Sequence, residues 1–477
     1  MNEIKYAATI ALAAIVACVP DSWGAAAAKT SSRPNVVVIL ADDMGYGDAS
    51  CYNSKDIPTP HIDSIARNGV RFTAGYVTAP QCAPSRSGLL SGCDQNRFNC
   101  GENYHLDRHG IPRDIKLFGD FLRPAGYQTG LVGKWHLGAM AGCHPLERGF
   151  DEFFGFLGGG SLYFPAAPAA SIVNIFEGRS RVQVSNYLTT EFGARAVRFV
   201  DEHKGHPFFL YLAFNAPHEP LQAPAEYVEK FKHLAIEGEP GKICGYTKQP
   251  IKHPHQVYAA MVAAMDDEVG RVLASLRRNG LEQNTIVIFL SDNGGPTPNS
   301  TASNGPLRGV KGDVLEGGIR VPFVMQWKSM IPAGQTVDMP VSSLDLLPTV
   351  LAAAGATATA DARLDGMNLL PVLTGTSRPQ VRTLYWLFPF PSPRPERYAW
   401  AIRQGDWKLV RESVRDEDPR FAFGTDRTGL YNLQEDIAEK TDLSVREGGK
   451  RRDLQAAHDA WRATLPVPST ESRPPRK

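Results

Sequence analysis

Five short, continuous apolar runs constrain the fold of this chain more than any other feature. The runs are NVVVIL (35–40), YQTGLV (127–132), PFFLYLAF (207–214), TIVIFL (285–290) and PFVMQW (322–327). Continuous apolarity, rather than strict alternation, is typical of strands that are buried on both faces. Helix-like stretches such as residues 257–280 and 342–355 lie between the runs. The pattern predicts an α/β sandwich around a large, mostly parallel sheet.

The pattern changes after about residue 375. A Pro-rich loop, FPFPSPRPERY (388–398), precedes the shorter alternating pieces YAWAIRQGDWKLV (398–410) and GLYNLQED (429–436). Such pieces predict a smaller C-terminal subdomain with an antiparallel sheet. We therefore expect the following layout: a leader at 1–28, a main domain at 31–375, the subdomain at 376–465, and a disordered tail at 466–477.

The first 28 residues read as an export signal. Lys5 precedes the apolar stretch AATIALAAIVA (7–17), and small residues follow, with cleavage expected near Ala26 or Ala28. The segment IVAC resembles a bacterial lipoprotein cleavage site, which leaves lipidation of Cys18 as the alternative. No later segment is apolar for long enough to cross a bilayer. The sequence thus predicts an exported protein, periplasmic or extracellular, with no transmembrane segment once the signal is removed.

Charge and cysteine content exclude some classes of partner. Lys and Arg number 51, and Asp and Glu number 50, so the charges nearly cancel. The net charge therefore does not attract nucleic acid or an anionic membrane, and any anion-binding site must depend on a local group of basic residues. The cysteine spacing fits no paired CxxC zinc pattern. Disulfides are permitted in an exported protein. Their pairing among Cys51, Cys93, Cys100, Cys143 and Cys244 stays open.

Polar residues follow four of the apolar runs at the point where each predicted strand ends. NVVVIL leads into ADDMGYGD, YQTGLV into GKWHLG, PFFLYLAF into NAPHEP, and TIVIFL into SDNGG. Open α/β sheets bind their ligands at the carboxyl ends of the strands. We therefore expect these four segments to converge.

Asp42, Asp43, Asp292 and Asn293 are the candidate metal ligands. Three carboxylates and an amide oxygen in one small volume repel one another unless a cation lies among them. Hard oxygen donors favour Ca²⁺, and less strongly Mg²⁺, over zinc. Either pair alone would more often cap a helix or a turn. The metal hypothesis rests on both pairs following similar strands.

Five basic side chains accompany these acids, and they are Arg86, Lys134, His136, His218 and Lys311. Arg binds an oxyanion with two donors, Lys supplies a point charge, and His exchanges protons near neutral pH. Beside a divalent cation, such a set suits a tetrahedral anion such as phosphate or sulfate. Each residue alone would more often be an ordinary surface charge, so the hypothesis depends on the set.

Cys82 begins the segment CAPSRSGLLSG (82–92). A cysteine of an exported protein is ordinarily structural or half of a disulfide, and its soft sulfur matches a hard metal poorly. The segment closely resembles CxPSRxxxLxG, the signature of the formylglycine-dependent sulfatases. In that family the cysteine is oxidised after translation to a formylglycine aldehyde.

Further segments resemble the same family in family order, from about residue 33 to 445. They are RPNVVVILADDMGYGD (33–48), GLVGKWHLG (130–138), HPLERGFDEFFGF (144–156), LAFNAPHEP (212–220), IVIFLSDNGG (286–295), LRGVKGDVLEGGIRVPF (307–323) and GLYNLQEDIAEKTDLS (429–444). The ordered set is far more specific than CxPSR alone. It resembles the arylsulfatase and N-acetylgalactosamine-6-sulfatase branch, which implies the alkaline-phosphatase-like fold.

The resemblance implies a role for every candidate residue. Asp42, Asp43, Asp292 and Asn293 would bind Ca²⁺. Cys82, as a hydrated formylglycine, would attack sulfur and form a covalent sulfo-enzyme, from which its second hydroxyl expels sulfate after losing a proton to His136. Arg86 and Lys134 would position the nucleophile and the sulfate. Lys311 and His218 would hold the leaving-group side, and the resemblance does not decide which of them protonates the leaving oxygen.

The resemblance also implies two partners, namely a formylglycine-generating enzyme and a sulfate ester, in particular a sulfated saccharide. Loops near Tyr104, His105, His109 and Ser161 are candidates for the substrate rim, although their sequence encodes no ring position and no endo or exo preference. Two alternatives stay open. One is a phosphodiesterase or phosphonate hydrolase on the same scaffold, and the other is a non-catalytic binder of sulfated glycans in which Cys82 remains a thiol.

Overall fold

The computed structural model describes residues 33–103, 109–164, 174–234, 253–297, 300–359, 362–389, 398–412 and 427–466. The predicted leader with Cys18, most of the Pro-rich loop, Cys244 and the tail from residue 467 lie outside the described residues. Within the described ranges, no helix is both long and apolar enough to cross a bilayer.

The described strands fall into three sheets. Their bounds are β1 Asn35–Ala41, β2 Val70–Phe72, β3 Gly75–Tyr76, β4 Gln128–Lys134, β5 Glu152–Phe156, β6 Ile175–Glu177, β7 Ser180–Val182, β8 Phe208–Ala213, β9 Thr285–Ser291, β10 Phe323–Gln326, β11 Gln335–Val337, β12 Val341–Ser342, β13 Thr383–Pro389, β14 Tyr398–Gln404, β15 Trp407–Glu412 and β16 Arg427–Asn432. The helices are α1 Pro60–Arg67, α2 Cys82–Ser91, α3 Phe118–Leu122, α4 Leu188–His203, α5 Ala225–Lys230, α6 Pro254–Arg278, α7 Glu316–Ile319, α8 Leu346–Ala354, α9 Leu370–Leu373 and α10 Gly448–Arg462.

The main sheet has ten strands in the order β11-β2-β10-β9-β1-β8-β4-β5-β6-β7. Its centre, β9-β1-β8-β4-β5, is parallel throughout. Side chains of β1 alternate between two cores: Val37 and Ile39 face the core beneath α4 and α6, while Val36 and Val38 face the core beneath α2 and α8. Burial on both faces explains the continuous apolar runs, and the predicted mostly parallel sandwich is confirmed.

The run PFVMQW departs from the parallel pattern, because β10 pairs antiparallel with both β9 and β2. A strand parallel to β9 would have to begin at the edge of the sheet where β9 begins. The chain would then need a crossover of a dozen or more residues, usually a helix, to return to that edge. Between β9 and β10, the described residues contain a single α-helix, the short α7. They stay at the carboxyl edge, where the Gly294 amide donates to the carbonyl of Gly318 (3.0 Å). The chain therefore enters β10 from that edge.

Two predicted helices are confirmed, and glycines end both of them. Helix α6 is followed by Gly280 at φ 71°, and α8 ends at Gly355 with φ 63°. Glycine adopts this left-handed conformation without steric cost.

The C-terminal strands form a separate antiparallel sheet in the order β13-β14-β15-β16. One face packs Leu409 and Ile402 against Leu454 of α10. The other face packs Ala401 and Val410 in a core with Ile319 of α7. The predicted antiparallel sheet is confirmed, while the division of the chain at residue 375 stays a prediction.

Replacing Gly133 with Ala should destabilise the centre of the main sheet. Gly133 lies near the end of β4 at φ 114°, and a β-carbon there would lie 1.9 Å from the Ala213 carbonyl oxygen of β8. Backbone strain and overpacking together should cost more than about 2 kcal/mol. Chemical denaturation measures this loss. Gly205→Ala, where a β-carbon meets nothing within 4 Å, is the control, and equal stability of the two variants would contradict the prediction.

Candidate active site

The four polar segments expected to converge follow four adjacent strands, β9, β1, β8 and β4. The register pairs Ala41 with Ser291, so the acidic pairs that follow β1 and β9 begin side by side. The Asp43 amide donates to Asp292 Oδ1 (3.2 Å), and Asn293 Nδ2 donates to Asp43 Oδ1 (2.7 Å). All four side chains are buried. The expected convergence is therefore present.

The donors at this edge fit a hard cation. Ligand atoms of Asp42, Asp43, Cys82 and His218 lie within 4.8 Å of one another, and Asp292 adjoins them through the Asp43 amide. Asn293 Oδ1 is buried and accepts no hydrogen bond from the described residues. A buried amide oxygen without a donor is costly unless something else satisfies it. Carboxylate and amide oxygens are the ligands that Ca²⁺ prefers in proteins.

Each of the three carboxylates lies closest to a different basic side chain. Lys134 Nζ lies 2.6 Å from Asp42 Oδ2. Lys311 Nζ lies 2.7 Å from Asp43 Oδ1. Arg86 reaches Asp292 Oδ2 through both Nε (2.9 Å) and Nη2 (2.8 Å). Three anions and three cations thus balance in a pocket from which water is largely excluded.

Burial and neighbouring charges move the pKa of these acids in opposite directions. Burial alone would raise the pKa of Asp42, but Lys134, His218 and Arg86 outweigh burial and lower it. Burial, followed by repulsion from Asp42, raises the pKa of Asp292 to about 6. Asp42 therefore stays ionised at a lower pH than Asp292 does.

Cys82 is the first residue of α2 and is buried. Its Sγ lies 3.6 Å from Asp42 Oδ1, and the Ala83 amide donates to Asn103 Oδ1 (3.1 Å). Arg86 follows one helical turn later, so both side chains lie on the same face of α2. Burial raises the pKa of the Cys82 thiol to about 12, although Lys134 and Lys311 oppose the change.

The two predicted histidines also lie at this edge. His136 is buried at φ 59°, and its Nδ1 has no hydrogen-bond partner among the described residues. A β-carbon at Gly159 would lie 2.7 Å from His136 Nε2, so only glycine lets that loop approach the ring. Burial, followed by Lys134 and Arg86, lowers the pKa of His136 well below its usual value. His218 Nε2 lies 3.5 Å from Asp43 Oδ2.

Sequence reasoning missed two asparagines of this region. Asn215 is buried within NAPHEP, and neither its Nδ2 nor its Oδ1 has a hydrogen-bond partner in the described part of the chain. Its position just after β8 was the available signal, but the prediction for that segment covered only His218, for its proton chemistry. Asn103 had no local signal, because its contact with Ala83 is made across the fold.

The proposed rim residues and the cysteines are only partly described. Ser161 is buried and donates to the Leu162 carbonyl (3.2 Å), and His109 is half-buried. Tyr104 and His105 lie outside the described residues. The described cysteines are all free thiols, namely Cys51, Cys82, Cys93, Cys100 and Cys143.

Two family models match the chain. The model described as Sulfatase matches residues 34–356. The model described as N-sulphoglucosamine sulphohydrolase, C-terminal, matches residues 311–455. The first match spans more than half of the chain and contains all the candidate site residues.

Named relatives support the same assignment. Arylsulfatase J of Mus musculus is 32% identical, over 88% of this chain and 74% of that protein. N-acetylgalactosamine-6-sulfatase of Homo sapiens is 33% identical, over 73% and 67% respectively.

Solved structures agree. Ps i-CgsB superposes with a TM-score of 0.81 at 35% identity, covering 92% of this chain and 94% of that one. PsFucS1 sulfatase from Pseudoalteromonas sp. superposes with a TM-score of 0.75 at 26% identity, covering 92% and 91%. The chain belongs to the sulfatase family, with the alkaline-phosphatase-like fold, and is an enzyme that hydrolyses sulfate esters.

Proposed function

We propose that this sulfatase cleaves a sulfate ester of a carbohydrate, using a formylglycine made from Cys82 and a Ca²⁺ ion. One observation carries the proposal: Cys82 Sγ lies 3.6 Å from Asp42, at a sheet edge that also gathers Arg86, Lys134 and Lys311. A buried thiol among hard oxygen donors is a poor ligand for their cation. The position suits a side chain that is converted to an oxygen nucleophile.

Asp42, Asp43, Asp292 and Asn293 are the residues that would hold the ion. Their buried oxygens match Ca²⁺ better than Mg²⁺, because Mg²⁺ usually keeps several of its waters. When bound, Ca²⁺ would draw sulfate oxygens to this edge and stabilise negative charge there. The charges of the three carboxylates and the three basic side chains balance. A bound divalent cation would therefore leave an excess of positive charge, which an anionic ester can neutralise.

The aldehyde, in its hydrated form, would supply the oxygen nucleophile that a buried thiol does not. Arg86 is held by Asp292 on the same helical face as residue 82, so its guanidinium would orient that side chain. Lys134 and Lys311 carry ammonium groups that would bind sulfate oxygens.

Proton transfer is assigned to the remaining groups. His136 Nδ1 is buried and unpartnered among the described residues, and a low pKa keeps the imidazole neutral, so we assign His136 as the general base. The leaving oxygen would take its proton on the side where His218 and Lys311 both meet Asp43.

Two relatives point to carbohydrate as the leaving group. The human relative is named for sulfate on N-acetylgalactosamine. Ps i-CgsB, 34% identical here, has a structure in complex with k-i-k-neocarrahexaose. We accordingly propose a sulfated saccharide substrate, a formylglycine-generating enzyme as maturation partner, and a site of action in the periplasm or outside the cell.

Maturation of Cys82 should be required for turnover. When the chain is produced with a formylglycine-generating enzyme, the thiol of residue 82 should be converted to an aldehyde. In a mass spectrum, the peptide containing residue 82 should then be lighter than the unconverted peptide by the corresponding difference. The protein should then hydrolyse sulfated saccharides. Cys82→Ala should reduce kcat/KM by at least about 10³-fold, because the nucleophile is removed.

Cys51→Ala, at a half-buried free cysteine, is the matched control and should retain turnover. Faster hydrolysis of phosphate than of sulfate monoesters would contradict the proposed reaction. An unconverted thiol in a protein that binds sulfated glycans without turnover would indicate the non-catalytic alternative.

Calcium should stabilise the folded protein through the four proposed ligands. Removal of metal with EGTA should lower Tm and abolish turnover, and added Ca²⁺ should restore both. Ligand at 100 times its Kd adds about 2.7 kcal/mol to the free energy of unfolding. Calorimetric titration and thermal melts measure the effect. Asn293→Ala should lose the response and Asp267→Asn should keep it, whereas equal responses in both variants would refute the ligand assignment.

Removal of the proposed base should lower turnover more than it affects binding. His136→Asn keeps a residue that tolerates positive φ, and kcat should fall about 10²- to 10⁴-fold with little change in KM. Steady-state kinetics on one sulfated substrate measure both constants. His206→Asn, at an exposed histidine outside the site, serves as the control, and unchanged kcat in His136→Asn would remove His136 from the mechanism.

A further inference from the structure

A buried cluster of charges joins the C-terminal sheet to the segment that carries Lys311. Lys408 of β15 is fully buried, and its Nζ lies 2.9 Å from both Glu316 Oε1 and Glu439 Oε1. Glu439 Oε2 accepts the Glu316 amide (2.8 Å), and Arg320 Nη1 lies 3.1 Å from Glu316 Oε2. Burial alone would raise the pKa of Glu316, but Lys408 and Arg320 lower it to about 2, so Glu316 is ionised at neutral pH.

A second contact anchors the start of the same segment. Arg308 Nη2 lies 2.7 Å from Glu412 Oε1 of β15 and donates to the Tyr431 hydroxyl of β16 (3.3 Å). Arg308 precedes Lys311 by three residues, and Glu316 follows it by five. Strands of the C-terminal sheet therefore hold the segment on both sides of Lys311. We call residues 308–318 the Lys311 loop.

The Lys311 loop leaves little space for movement between these anchors. Its ends are joined by a hydrogen bond from the Gly317 amide to the Arg308 carbonyl (2.7 Å). The Gly312 amide donates to the carbonyl of Pro80, two residues before Cys82, at 2.9 Å. A β-carbon at Gly318 would lie 2.0 Å from the Asp313 carbonyl oxygen. A displacement at either anchor would therefore reach Lys311.

We propose that the C-terminal sheet is a clamp that positions Lys311, with Lys408, Glu316, Glu439, Arg308 and Glu412 as positioning residues. The inference rests on the proposed role of Lys311 in binding the sulfate ester. A lysine ammonium at the end of a flexible stem binds an anion well only when its backbone is held in place. Buried ion pairs give little net stability, and fixing one specific geometry is a better-attested use of them.

Hydrogen exchange in the full-length protein tests the clamp without any substrate. Glu412→Gln removes the negative charge that pairs with Arg308 at a partly exposed site and so weakens this anchor, and amides of residues 308–318 should exchange faster than in the parent protein. Lys408→Met should have the same effect more strongly. Glu282→Gln weakens a comparable, partly exposed ion pair with Lys328 (2.7 Å) in the same way and should leave exchange in the Lys311 loop unchanged.

Kinetics then test whether the clamp acts through Lys311. Glu412→Gln should lower kcat/KM about 10- to 100-fold, but should cause no further loss in a Lys311→Ala background. Unchanged exchange in Glu412→Gln, or a loss of the same size in both backgrounds, would overturn the clamp. If Lys408→Met fails to fold, the results for Glu412→Gln alone still test the clamp. If the parent protein were inactive on every sulfate ester, the proposed function would be refuted. The clamp could still be tested, because hydrogen exchange does not depend on turnover.

Discussion

Repulsion among Asp42, Asp43 and Asp292 is the constraint on which the rest of the site depends. The parallel sheet brings these carboxylates together, because β1 and β9 are neighbours and end in register. Burying even one charge costs several kcal/mol, so the fold must compensate all three. It does so with cations from three different places: Arg86 from α2, Lys134 from the end of β4, and Lys311 from the segment between β9 and β10.

This compensation explains why distant parts of the chain are needed for one small pocket. Lys134 is fixed by the strand that carries it, and Arg86 by a helix packed on the sheet. Lys311 lies on a loop, and loops hold side chains less rigidly than strands do. The C-terminal sheet adds the buried contacts of Lys408 and Arg308 on either side of that loop. By holding the loop that carries Lys311, the smaller sheet thus helps to balance the charge of the carboxylates that the larger sheet brings together.

Much of this arrangement could be predicted from the sequence, because local patterns encode it. Continuous apolar runs marked the buried strands, and the residues after them marked the edge where the acids and bases meet. The direction of β10 could not be predicted, since it depends on the route of the preceding loop. The contacts of Asn103 and Lys408 were also missed, because each joins residues far apart in sequence. The pattern of residues within one segment does not indicate which distant residue each of them will contact. The catalytic roles assigned to the site residues remain proposals.

The distance along the chain between Arg86 and its partner has a consequence for biosynthesis. Arg86 and Asp292 are 206 residues apart. At a translation rate of about 5–20 residues per second, the strand that completes the pocket emerges on the order of ten to forty seconds after the CAPSR peptide. During that interval the peptide cannot adopt its final enclosed setting. If Cys82 is converted as proposed, the order in which the ribosome delivers these segments would give the modifying enzyme time to act on the nascent chain.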